Sequence, residues 1–202
     1  MKIGLRKAYD SVYWGFLKDL LKSLQFPPIF IQWIMACVTT VSYSISLNGE
    51  TTGRFQGGRS LKQGDPLSPL FFVLTMEYLF RALKVPSNSS TFKHHLGCKK
   101  HDLVHLIFAD DLMLFCAAEV RPVKHLMDAF QTFSACTGLV INYNKSEIVI
   151  KGYNLQTEQE IVNITRVTKG SLPFRYLSVP ITTSRPSKLE CRSLVEKMMA
   201  RI

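Results

Sequence analysis

Two aspartates, Asp110 and Asp111, stand side by side between two apolar runs at 103–108 and 112–116. Short apolar runs bounded by turn residues read as buried strands, and the gap between these two leaves room only for a tight turn. Two like charges at such a turn repel, an arrangement that is costly unless something positive sits beside them. Carboxylate oxygens suit a hard divalent cation such as Mg²⁺. A plainer origin exists as well, because Asp tolerates strained turn backbone. The flanking sequence has to decide between them.

A chain of 202 residues with 47% hydrophobic side chains can bury a full core. No apolar run reaches the length of a membrane-spanning helix, and the basic start at Met1 has no apolar stretch of a secretory signal. The five cysteines (37, 98, 116, 136, 191) are scattered and odd in number, without metal-type spacing. They suggest buried, reduced thiols with no disulfide partner in an intracellular protein, nuclear or cytoplasmic. Charge is distributed unevenly: residues 1–100 hold 13 of the 25 Lys/Arg but only 5 of the 15 Asp/Glu. A basic half of this kind points to an anionic partner such as nucleic acid.

Along the chain, Asp10 or Ser11 is expected to cap a helix over 12–24, with Pro27-Pro28 separating it from a second over 29–38. Strict alternation over 41–47, then Asn48-Gly49, then 50–55, predicts a β-hairpin. The glycine-rich loop 57–66 lacks the spacing of a dinucleotide-binding turn. It leads into a long helix over 67–83, with Asp65 and Pro66 at its entry. An exposed loop is expected over 85–100. A helix over 123–136 stops near Gly138, and a strand at 146–151, a helix at 157–164, an extended pair at 174–182 and a helical tail at 187–202 follow. The pattern predicts an α+β fold, a mostly antiparallel sheet with helices packed on one face.

Five segments, in order, give the chain a resemblance. Lys7-Ala8-Tyr9-Asp10-Ser11-Val12 resembles the first palm motif of non-LTR, LINE-type retrotransposon reverse transcriptases, in wording closest to plant elements. Leu61-Lys62-Gln63-Gly64-Asp65-Pro66-Leu67-Ser68-Pro69 resembles the second, and Phe108-Ala109-Asp110-Asp111 the third. The segment from Gly138 to Ser146 is similar to the one that follows in the family, and Phe174-Arg175-Tyr176-Leu177-Ser178-Val179-Pro180-Ile181 to its primer-grip hairpin. A single motif of this length is weak; five in register are specific.

The resemblance implies a polymerase palm over 1–182, followed by a truncated helical start of the next region at 183–202, with fingers and thumb missing from this chain or supplied by a longer product. It implies RNA-directed DNA synthesis by two-metal nucleotidyl transfer, with Mg²⁺ as cofactor and RNA template, DNA primer and dNTP as partners. Asp110 and Asp111 take the catalytic, metal-holding role. Tyr9 takes that of the aromatic gate at the ribose, and Gln63 and Gly64 that of contacts to nucleotide or template base. Lys145 stands near the triphosphate, and Tyr176 and Leu177 lie beneath the primer strand. From their charge, Arg54, Arg59 and Lys62 are expected on the phosphate backbone.

One departure matters most. The family places an essential metal-binding Asp six residues before the position of Asp10, and here that residue is Gly4. Loss of even an outer partner of a metal site costs about 10–100-fold, so activity is expected to be impaired or lost. Ser178 in place of a family glycine is a smaller departure. The alternatives are a nucleic-acid-binding remnant without chemistry and a pseudogene product.

Overall fold

The computed structural model describes residues 1–87, 92–177, 179–182 and 187–200. Its elements run β1 (Lys2–Gly4), α1 (Ala8–Ser11), α2 (Trp14–Ser23), α3 (Pro28–Thr39), β2 (Ser42–Leu47), β3 (Glu50–Gln56), α4 (Ser68–Ser87), β4 (His105–Phe108), β5 (Asp111–Leu114), α5 (Val120–Thr137), β6 (Glu147–Ile148), α6 (Leu155–Thr165), β7 (Thr168–Lys169), β8 (Phe174–Tyr176), β9 (Val179–Ile181) and α7 (Lys188–Met199). The fold is α+β.

A five-stranded sheet, ordered β4-β5-β1-β6-β7, forms the centre. All its pairings are antiparallel except β6 with β7. Side chains alternate across it, so Ile3, Leu112 and Leu114 point to one face and join the apolar core beneath α4 and α5. In α4 the buried positions Ser68, Phe72, Thr75, Met76, Leu79 and Leu83 recur at three- and four-residue spacing. In α5 they are Val123, Leu126, Phe130, Phe133 and Thr137. Each fully buried Leu or Phe among them stabilises the fold by roughly 1.5–3 kcal/mol. On the other face the β8–β9 hairpin lies against the sheet: the Tyr176 hydroxyl donates to the carbonyls of Leu106 (3.4 Å) and Asp111 (3.2 Å).

Several sequence expectations need correction. Asp10 and Ser11 do not cap the long helix; they lie inside the one-turn α1, and α2 starts only at Trp14, behind an extended Val12-Tyr13. Val12 is fully buried and Tyr13 N–H bonds to the Thr137 carbonyl, and these tertiary contacts hold the chain extended where the apolar spacing suggested helix. The strand expected at 146–151 shrinks to Glu147–Ile148. β4 is an edge strand rather than a buried one, with Leu106 and Phe108 exposed. The loop expected over 85–100 starts later, because α4 runs on to Ser87, and it is pinned by Phe92 in the core. The cysteines are less buried than expected: Cys37 and Cys136 are exposed and the other three half-buried. α7 packs along β9. The Ser178 departure lies outside the described residues. Among the described residues no helix is long and apolar enough to cross a membrane.

Candidate nucleotidyl-transfer site

The acidic pair is presented by the β4–β5 hairpin, whose register pairs Phe108 with Asp111 and leaves Ala109-Asp110 as a two-residue turn. Ala109 is left-handed, with φ 51°. A residue at positive φ is a local strain held by the strands on either side, and a methyl side chain keeps the strain small. The turn exposes Asp110, while Asp111, the first residue of β5, is half-buried. Among the described residues neither carboxylate has an ion-pair partner.

Next to β5 lies β1, with Gly4 directly opposite Asp111. Antiparallel partners share a face, so position 4 and Asp111 open on the same side of the sheet. Gly4 is clamped from its other side by the turn at 142–146. Its N–H donates to Ser146 Oγ (3.1 Å), and its carbonyl accepts from Asn142 N–H (2.8 Å). Ser146 Oγ in turn donates to the Asn142 carbonyl at 2.7 Å. A Cβ at position 4 would stand 3.2 Å from Lys145 Cβ, so the clamp is tighter than a side chain at position 4 would ordinarily allow.

After β1 the chain turns through Lys7, left-handed at φ 44°, into α1. Tyr9 stacks on Phe72 of α4, with ring centroids 4.7 Å apart. The loop before α4 runs alongside: Leu61 N–H bonds to the Tyr9 carbonyl (2.7 Å), Ser60 N–H to that of Val12 (3.1 Å), and Trp14 Nε1–H to the Ser60 carbonyl (2.7 Å). Leu61 is buried as the anchor, and Gln63, two residues on, is exposed. Gly64 follows at φ 88°, a conformation that favours glycine. Asp65 Oδ1 accepts from Leu67 N–H at 2.8 Å, so Asp65 does organise the entry to α4.

These elements enclose a cavity of about 480 Å³ that gathers Tyr9, Gln63, Asp110 and Lys145. Arg6, Lys7 and Asn142 line it too. The sequence did not mark these three as site residues, although each lies in or beside a segment that carries the resemblance. The cavity is therefore mixed in charge, with three cations around one carboxylate. Gly64 and Asp111 flank it without lining it.

The remaining expected residues lie elsewhere. Arg54 is on the exposed β2–β3 ribbon, a separate two-stranded sheet. Arg59 stacks its guanidinium over the Tyr13 ring, 6.0 Å from the centroid. Lys62 is exposed next to Gln63. Tyr176 is buried and touches the site only through the Asp111 carbonyl, and Leu177 is at the hairpin turn with φ 49°. Burial, and after it the Asp111 charge, push the Tyr176 phenol above its ordinary pKa, which keeps it a neutral donor.

Mg²⁺ is commonly held by one or two carboxylates together with substrate phosphates, not by a cage made of protein alone. Asp110 and Asp111, both without a cationic partner, fit that mode. They do not make a cage: among the described residues no three His, Cys, Asp or Glu side chains converge on a metal position. Gly4, in register with Asp111, brings no side-chain oxygen.

The chain is similar to known proteins along most of its length. A family model described as reverse transcriptase (RNA-dependent DNA polymerase) matches residues 1–181. The Pol polyprotein of the type-2 retrotransposable element R2DM of Drosophila melanogaster is 33% identical over 154 residues, covering 74% of this chain and 14% of its own length. That of the type-1 element R2 of Popillia japonica is 30% identical over 198 residues, covering 93% of this chain and 31% of its own. An uncharacterized 149 kDa protein of transposon TX1 from Xenopus laevis is 23% identical over 154 residues, 75% of this chain and 11% of its own. The chain thus spans between about a tenth and a third of these relatives.

Proposed function

The chain belongs to the reverse transcriptase (RNA-dependent DNA polymerase) family, in its non-LTR retrotransposon branch, and from that membership we propose that the cavity at the β4–β5 tip is a nucleotidyl-transfer site weakened at one position. The observation that carries this reading is the register of Gly4 against Asp111 beside a cavity shared by Tyr9, Gln63, Asp110 and Lys145. It brings together, from four separate segments, the residue types that such a reaction uses.

In this reading Asp110 and Asp111 hold Mg²⁺. The bound metal supplies charge neutralisation at the triphosphate and lowers the pKa of the primer hydroxyl. The two-metal arrangement of the family rests here on two carboxylates, since Gly4 contributes none. Tyr9, braced by Phe72, presents a ring edge that limits space at the ribose and favours dNTPs. Gln63 hydrogen-bonds the nucleotide or template base, and Gly64 lets the backbone approach it. The Lys145 ammonium, with Arg6 and Lys7, attracts the triphosphate and is placed to give a proton to departing pyrophosphate. Arg54, Arg59 and Lys62 bind the backbone of an RNA template without reading its sequence. Tyr176 and Leu177 support the DNA primer from the far side of the hairpin.

Primer extension on an RNA template with Mg²⁺ tests this. Gly4→Asp is expected to raise the rate at least about tenfold over the wild type, and Asp110→Asn added to it to abolish the gain. Gly4→Ala controls for the close contact with Lys145 and is expected to raise nothing. Equal rates for wild type and Gly4→Asp, or a rate untouched by Asp110→Asn, would contradict the proposal.

A second reading, nucleic-acid binding without chemistry, is favoured by the missing carboxylate at position 4 beside the cations Arg6, Lys7 and Lys145. It predicts no extension by either protein, together with RNA binding that weakens steeply with salt.

A further inference from the structure

Where the β2–β3 ribbon and the loop before α4 meet the start of α2, aromatic rings gather on the outside of the molecule. Tyr43 and Phe55 are directly opposite each other in the ribbon and stack, with ring centroids 5.9 Å apart. Phe55 is still 52% exposed. Gly57 closes the ribbon against Trp14: a Cβ on it would stand 3.1 Å from Tyr43 Cε2 and 3.3 Å from Trp14 Cη2. Tyr43 Oη lies 3.3 Å from Ser60 Oγ, and the Ser60 carbonyl accepts from Trp14 Nε1–H. One residue earlier, Arg59 covers the exposed Tyr13 ring. Phe55, Tyr43, Trp14 and the Arg59–Tyr13 stack are therefore one continuous surface, pinned by hydrogen bonds at its centre.

Its charge is one-sided. Arg54 sits in the ribbon's bulge beside Phe55, where Gly53 and Arg54 together oppose Ser44. Arg54, Arg59 and Lys62 are all exposed, and none has an acidic partner among the described residues. Between residues 20 and 76 the acids are Glu50, at the ribbon's opposite end, and Asp65, which accepts from Leu67 N–H. Exposed rings grouped in a patch mark a binding surface. Rings interleaved with unpaired cations suit a single nucleic-acid strand, because every unpaired base has a face to stack and every phosphate a charge to meet. A duplex hides its base faces and cannot use the rings.

We infer that this surface takes an unpaired stretch of RNA, its bases stacked on Phe55 and on the Arg59–Tyr13 stack and its phosphates on Arg54, Arg59 and Lys62. The choice of RNA rests on the family reading above. The inference goes beyond attachment of the backbone, since it assigns the rings that hold the bases, and it does not require nucleotidyl transfer at the acidic tip.

Trp14 and Trp33 are the chain's tryptophans, so in a Trp33→Phe background the emission reports on Trp14, within the surface. The test titrates that protein, without Mg²⁺ or dNTP, with a single-stranded oligouridylate, with duplex RNA of equal length and with polyphosphate, a polyanion that has no bases. The oligouridylate is expected to change Trp14 emission saturably and to bind at least about tenfold tighter than either other probe. Phe55→Leu is expected to weaken it about tenfold, the scale of one lost stacking contact, without altering its salt dependence. Arg54→Ala is expected to lower the slope of log affinity against log salt by about 0.7, one phosphate contact. Equal affinity for polyphosphate or duplex, or undiminished binding by Phe55→Leu, would overturn the inference. Self-association relieved by Phe55→Leu, with Trp14 silent to the oligouridylate, would overturn it too and give the rings to a second copy of the chain. With Mg²⁺ and dNTP left out, failure here is separable from failure of nucleotidyl transfer, which primer extension reads.

Discussion

Gly138 closes α5 in the left-handed region at φ 81°, the usual end of a helix that stops on glycine. A Cβ there would sit 2.4 Å from the Ser11 carbonyl oxygen and 2.7 Å from the Tyr13 ring. Gly138→Ala is therefore expected to cost about 3 kcal/mol or more, combining left-handed strain with a clash that only backbone movement relieves. Urea unfolding measures it, and a loss under about 1 kcal/mol would mean that the 11–13 segment does not press on α5 as described. The sequence marked Gly138 as a helix stop, but not the close approach that makes it irreplaceable, because Ser11 and Tyr13 are remote in the chain. The same limit explains Asp10. Its residue type suits a cap, and only the burial of Val12, a tertiary fact, moves the helix start to Trp14. Gly4 is the opposite case: its backbone is ordinary, its Cβ contact is 3.2 Å, and its importance is chemical.

Among the elements, the two hairpins with strong local signals, at 41–55 and at 103–116, were legible because alternation and turn residues are short-range. Asn48 and Gly49 are both left-handed, at φ 51° and 87°, as the turn type demands. What the sequence could not give was that β2–β3 stands clear of the core, or that β4 forms the sheet's edge, since both depend on which strands pair across long separations. The β8–β9 hairpin is tied by such contacts, the Tyr176 hydroxyl on the Leu106 and Asp111 carbonyls and, more loosely, Lys2 Nζ on the Arg175 carbonyl at 3.5 Å. Tyr176→Phe is expected to cost about 1 kcal/mol, typical of a single hydrogen bond, and to speed hydrogen exchange across 174–181 several-fold. Unchanged exchange there would show that apolar packing alone holds the hairpin to the sheet.

For the whole molecule, the net charge of +10 and the scarcity of acids in residues 1–100, which hold 5 of the 15 Asp/Glu, agree with an anionic partner, and both were readable from composition. The assembly of the acidic-tip cavity was only partly so. Motif order supplied Tyr9, Gln63, Asp110 and Lys145, but the cations Arg6 and Lys7 enter through the left-handed turn at Lys7, which nothing in the residue types announces. Arg54, Tyr176 and Leu177 lie outside that cavity, so any part they take requires a ligand long enough to reach past it.

The central claim, that the Asp110-Asp111 tip beside Gly4 is where a divalent metal and nucleotide meet, is tested most directly by adding Mn²⁺ with a dNTP and recording paramagnetic broadening of the backbone amides. Mn²⁺ accepts the same oxygen-rich coordination as Mg²⁺. The expected result is selective broadening at Asp110, Asp111, Leu5 and Lys145 that disappears in Asp110→Asn. Broadening centred elsewhere, or unaffected by that substitution, would contradict it.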